Sequence, residues 1–72
     1  MDELYRFQKG TIKSCDWFIN IEKKGKEYSM WKGLLRRDDF EIIQEYEEKI
    51  TKEQADDYIK KNEGYLIEVR KL

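Results

Sequence analysis

The chain contains no histidine and a single cysteine. Without histidine the usual general base, the usual proton shuttle and the commonest metal ligand are all missing. One thiol, Cys15, cannot close an internal disulfide. These absences argue against Ser-His-Asp or Cys-His catalysis and against a histidine- or cysteine-rich zinc site. Cys15 reads instead as an inward-pointing strand residue. No apolar run approaches the length of a membrane span. The opening, MDELYRFQKG, is acidic and lacks a hydrophobic stretch, so no secretory signal is expected. Repeats, linkers and low-complexity tracts are also missing. The expectation is a cytoplasmic protein, not an enzyme, with no cofactor, metal or membrane partner.

Charge and aromatic side chains are what the 72 residues do contain. Charged residues make up 43% of the chain, against about 25% in ordinary domains, and ten aromatics argue against disorder. Residues 1–72 are read as one small domain. At this size a fold buries only about 60% of its unfolded surface, so a homodimer or a standing complex is expected to supplement a thin core. The net charge of -1 hides a partition. Residues 1–37 hold nine Lys or Arg and five Asp or Glu, for +4; residues 38–57 hold two and nine, for -7; residues 58–72 hold four and two, for +2. The acidic block is local, which suits imitation of a polyanion by a protein that is nearly neutral overall.

Residues 4–8 read as a short edge strand with a turn at Lys9-Gly10. In residues 11–22, Cys15, Trp17, Ile19 and Ile21 share one face of a period-two pattern, and Asp16, Phe18 and Asn20 share the other. Lys23-Lys24-Gly25-Lys26 supplies a hairpin glycine, and residues 27–32 return as a third strand that Gly33 ends.

Residues 38–50 read as an acidic helix. At 100° per residue, Ile42, Ile43, Tyr46 and Ile50 fall within about 100° of one another, a natural core face. Glu41, Glu45 and Glu48 cluster within roughly 60° elsewhere, forming a carboxylate ridge. Phe40 lies off the core arc beside Glu47, which makes it a candidate contact aromatic, while a place under the sheet at the helix start remains the alternative. Asp38 or Asp39 can cap this helix, and Asp39 and Glu41 suit the positive end of its dipole. Thr51 starts a second helix, with Gln54 completing a capping box. Ala55, Tyr58, Ile59 and Asn62 form its inner face, and residues 65–72 close the chain as a strand. The expected fold is α+β: an antiparallel sheet in β-β-β-α-α-β order, with two helices packed on one face.

At Gly25-Lys26-Glu27-Tyr28, Lys32-Gly33-Leu34 and Asp39-Phe40-Glu41-Ile42-Ile43 the chain resembles small phage-encoded uracil-DNA glycosylase inhibitors, the dimeric DNA mimics of small Bacillus phages. The likeness lies between positions 25 and 43, with a fainter echo at Ala55-Asp56-Asp57-Tyr58-Ile59. It implies a homodimer that occupies the DNA-binding groove of the host repair enzyme, in the bacterial cytoplasm. It places Phe40 in an apolar pocket that captures the leucine otherwise inserted into DNA during base flipping, with Glu41 beside that contact. A second family aromatic falls on Gln44, where Tyr46 would have to substitute.

The expected partner-binding residues are therefore Phe40, Glu41, Asp38, Asp39, Gln44, Glu45 and Glu48, facing a host DNA-processing enzyme. Nine carboxylates in twenty helical residues give about one per 3 Å, near the roughly 3.4 Å phosphate spacing along one DNA strand. A CRISPR nuclease or another DNA-binding defence enzyme is an alternative target, and a generic interaction module with a merely solvated acidic face is another alternative. A nucleic-acid binder would use Lys23, Lys24, Lys26, Lys32, Arg36 and Arg37 with Trp31 for stacking. The pI near 5.5 opposes that, so no direct nucleic-acid partner is expected.

Overall fold

In the computed structural model, which describes residues 2–10 and 14–72, the strands form one antiparallel sheet and an α-helix crosses one of its faces. The elements are β1 (Glu3–Gly10), β2 (Cys15–Lys24), β3 (Glu27–Arg36), β4 (Ile42–Ile50), α1 (Lys52–Lys61), a single 3-10 turn (Glu63–Tyr65) and β5 (Leu66–Lys71). The sheet order is β4-β3-β2-β1-β5. The expected α+β fold with two helices on one face is corrected: among the described residues there are five strands and one α-helix.

The correction falls on the acidic segment, which forms β4. Its Ile and Tyr spacing fits a helical period, but the unpaired edge of β3 offers a backbone ladder from Tyr28↔Ile50 to Leu35↔Ile42. Three isoleucines and a tyrosine also suit a pleated surface. Tertiary pairing outweighs local period here. The register shifts between Leu34 and Leu35, so Ile43 is the extra residue of a bulge that bends β4. Gly33 does not end β3 but lies within it, and a Cβ there would collide with the Gln44 carbonyl and lie 2.9 Å from Glu45 Cα. Glycine is what lets β4 come this close.

β1 is likewise not an edge. It pairs with β2 from Glu3↔Lys23 to Gly10↔Asp16 and with β5 on its other side, so Lys9-Gly10 is strand rather than turn. The β2–β3 hairpin turns at Gly25, where φ is 63°, the left-handed region a tight two-residue loop requires. The expected strand over residues 11–22 begins at Cys15 and extends to Lys24; positions 11–13 lie outside the described residues.

α1 carries the capping box read from the sequence. Thr51 Oγ1 accepts from the Gln54 N–H (3.1 Å), and Gln54 Oε1 accepts from the Thr51 N–H (3.0 Å). Its inner face brings the buried Ala55 onto Phe7, Ile19, Ile21 and Met30, with Tyr58 and Ile59 packed alongside. Each fully buried large side chain among these contributes about 1.5–3 kcal/mol. Asn62, expected on the inner face, closes the helix, its Nδ2 donating to the Tyr58 carbonyl at 2.8 Å. Among the described residues no helix covers the opposite sheet face. There Phe18 packs edge-on against Trp31, ring centroids 5.0 Å apart.

Candidate functional site

The loop between β3 and β4 carries the residue most emphasised by the sequence. Arg36 N–H donates to the Glu41 carbonyl and Phe40 N–H to the Arg36 carbonyl, both at 2.8 Å, closing a four-residue turn. Asp39 Oδ1 accepts from the Glu41 N–H (3.1 Å), the local side-chain bond that suits aspartate to turns. Phe40 closes the loop at φ 58°, the one non-glycine residue at positive φ among the described residues, and is 72% exposed. A large aromatic held in strained backbone with its ring in solvent is a feature that clusters at functional sites.

The surrounding carboxylates are partly neutralised. Arg36 Nη1 lies 3.2 Å from Asp39 Oδ2 and 3.4 Å from Glu41 Oε2. The Glu41 backbone N–H, with Arg36 adding to it, holds the Asp39 carboxyl below its ordinary pKa. Asp38 is exposed beside Phe40.

The expected ridge of Glu41, Glu45 and Glu48 does not exist, because a strand sends alternate side chains to opposite faces. Glu45 stands opposite Gly33 and Glu47 opposite Trp31, on the face away from α1. Trp31 Nε1–H donates to Glu45 Oε2 at 3.1 Å. Gln44, Tyr46 and Glu48 turn to the α1 side, opposite Leu34, Lys32 and Met30. The Tyr46 hydroxyl donates to Glu48 Oε2 (3.1 Å), and that carboxylate raises the tyrosine's pKa. Ile42, Ile43 and Tyr46, expected in the core, are exposed; Ile50 alone of that arc packs against it.

Two features were missed in the sequence. The face away from α1 holds a shallow depression whose lining includes Phe18, Trp31, Leu35, Ile42 and Ile67. The alternation in β2 put Phe18 on this side, but Ile42 and Ile67 reach it only through the bulges in β4 and β5. Second, the basic residues grouped in the sequence are dispersed. Lys23 pairs with Asp56 (3.0 Å), Arg37 with Asp16 (2.7 Å) and Arg36 with the loop acids.

Among the described residues, no three His, Cys, Asp or Glu side chains come together in a way that could hold a metal ion. No helix among them is long and apolar enough to cross a membrane. No family model matches the chain, and no curated protein or solved structure matches it.

Proposed function

We propose that this protein is a non-catalytic inhibitor that occupies the DNA-binding groove of a host DNA-processing enzyme in the bacterial cytoplasm, with uracil-DNA glycosylase the favoured target. The observation that carries the proposal is Phe40, 72% exposed at φ 58° and flanked by Asp38, Asp39 and Glu41. An aromatic anchor supplies desolvated binding energy, and the acids around it suit a groove built for phosphates. The acidic presentation differs from a helical ridge. It is the β3–β4 loop, where Asp38, Asp39 and Glu41 stand around Phe40.

Two copies associate, in this proposal, through the sheet face away from α1. Apolar Trp31, Leu35, Ile42 and Ile67 lie there among charges of both signs, including Arg6, Glu45 and Glu47, which a two-fold axis can bring into opposition.

The test is uracil excision by a bacterial uracil-DNA glycosylase with and without equimolar protein. Stoichiometric inhibition that Phe40→Ala abolishes supports the proposal. Full excision in the presence of the protein retires this target. Sedimentation of the wild type and of Ile42→Asp/Ile67→Asp reads the association; a monomeric wild type removes the dimer.

A further inference from the structure

The face crossed by α1 is left open at one corner. The strand registers set Lys9 opposite Trp17, Trp17 opposite Leu34 and Leu34 opposite Gln44. One step further in, Lys32 stands opposite Tyr46. Between Trp17 and Tyr46 runs a groove of about 310 Å³ whose lining includes Lys32, Leu34, Gln44 and Glu45 and no residue of α1. That volume is at the lower end of the range for small-molecule sites, enough for one heteroaromatic ring.

Cations and aromatic rings alternate across the corner. Lys9 Nζ lies 5.6 Å from the Trp17 ring centroid and 5.1 Å from that of Tyr65; Lys32 Nζ lies 5.5 Å from that of Tyr46. None of the ion pairs among the described residues involves Lys9 or Lys32. By contrast Arg6, Lys23, Arg36, Arg37 and Arg70 are each matched to a carboxylate. Of the neighbouring acids, Glu45 Oε2 accepts from Trp31 Nε1–H on the other face, and Glu48, on this face, accepts from the Tyr46 hydroxyl. Tyr46 and Tyr65 are 53% and 44% exposed, so both rings present surface for stacking.

From this arrangement we infer that the corner binds single-stranded nucleic acid. One base stacks in the groove between Trp17 and Tyr46, and the adjoining phosphates meet Lys32 and Lys9. Stacking on aromatics with cations tracking the backbone is the general chemistry of single-strand platforms. A duplex keeps its base faces stacked internally and cannot enter. The Gln44 amide, with two donors and an acceptor, lies in the groove lining where it can meet a base edge. Lys9 and Lys32 sit on β1 and β3, two strand spacings across and two residues along, about 12 Å apart, so a short run of backbone reaches both. This set shares only Lys32 with the basic residues grouped in the sequence. It lies apart from Phe40, does not depend on the inhibitor proposal, and runs against the expectation of no direct nucleic-acid partner.

The experiment is fluorescence anisotropy of a labelled oligothymidylate of about 12 nucleotides, within the site sizes of such platforms, titrated with the full chain at about 50 mM salt. Binding is expected to weaken with salt, with a log-log slope near -1.4 for two phosphate contacts. Lys9→Glu/Lys32→Glu should weaken binding at least tenfold and flatten the slope, and Tyr46→Ala about tenfold through lost stacking. Lys24→Glu/Lys26→Glu, at the β2–β3 turn, and Phe40→Ala should leave it unchanged. No anisotropy change at low salt, equal affinity for duplex, or equal weakening by the Lys24/Lys26 pair each overturns the inference. Thermal melts accompany every variant; should the Lys9/Lys32 pair fail to fold, Tyr46→Ala decides.

Discussion

Replacing Phe40 by glycine separates what the backbone needs at that position from what the ring is for. At φ 58° an L side chain costs about 1–2 kcal/mol that glycine avoids. With the residue 72% exposed, about a quarter of a full-burial value of 1.5–3 kcal/mol is lost on truncation, roughly 0.5 kcal/mol. Glycine also adds unfolded-state entropy that costs about 0.4–1 kcal/mol. These nearly cancel, so Phe40→Gly is expected to change stability by less than about 1 kcal/mol, a Tm shift below about 8 °C in a domain of this size. Phe40→Ala keeps the strain and loses the ring, so it should fall about 0.5 kcal/mol below wild type. Urea denaturation of the three proteins, run beside the excision assay, reads both quantities. In the excision assay both variants should lose more than about 2 kcal/mol of target binding, as truncated anchors do. A stability loss of about 3–5 kcal/mol on truncation would instead place the ring in a core and refute the reasoning from exposure. Intact stability with undiminished inhibition would remove Phe40 from the interface.

Gly33→Ala should destabilise by up to about 3 kcal/mol, because the added methyl meets β4 backbone rather than a side chain that can yield; a urea midpoint equal to wild type would mean that β4 does not lie against β3 there. Thr51→Ala removes the acceptor for the Gln54 N–H and should cost about 1 kcal/mol in the same measurement, so an unchanged midpoint would leave the capping box without energetic weight. Glu68 is held below its ordinary pKa first by its hydrogen bond to Arg70 and then by Arg6. A depressed folded pKa gives stabilisation that is present above the unfolded value and lost as the pH falls through the folded one. Glu68→Gln should therefore flatten the acid limb of the stability profile below the ordinary glutamate value of 4.5, and raised salt should do the same to wild type; an unchanged acid limb would show that these exposed pairs contribute nothing.

The elements legible in the sequence were those whose signals are local. The alternation around Ile19 and Ile21 marks β2, Gly25 marks the hairpin, and Thr51 with Gln54 marks the start of α1. What was not legible depends on distant partners. In residues 42–50 the apolar spacing matches a helix, and only the vacant edge of β3 makes it a strand. β1 reads as an edge because its second neighbour, β5, is more than fifty residues away and arrives by way of α1. The site followed the same division. Phe40 could be singled out in the sequence, but its left-handed backbone belongs to a turn that exists only once β4 is a strand. The carboxylate ridge was a product of the helical wheel and vanished with the helix.

The acidity of β4 and the exposure of Phe40 do not carry equal weight for function. β4 is an edge strand, and an edge presents unpaired N–H and C=O groups that invite pairing with another chain. Charged side chains and a bulge are common defences, and β4 has both, with Glu45, Glu47, Glu48 and Lys49 in the strand and Ile43 in the bulge. The fold alone therefore accounts for these charges. It does not account for Phe40. The turn requires a left-handed residue, which asparagine, aspartate or glycine would supply at lower cost, and the ring is 72% exposed. Reversing the charges of β4 can then alter solubility and edge pairing as well as any association rate, so a change in those properties does not identify a partner. Loss of target binding on changing Phe40 alone, with stability unmoved, does.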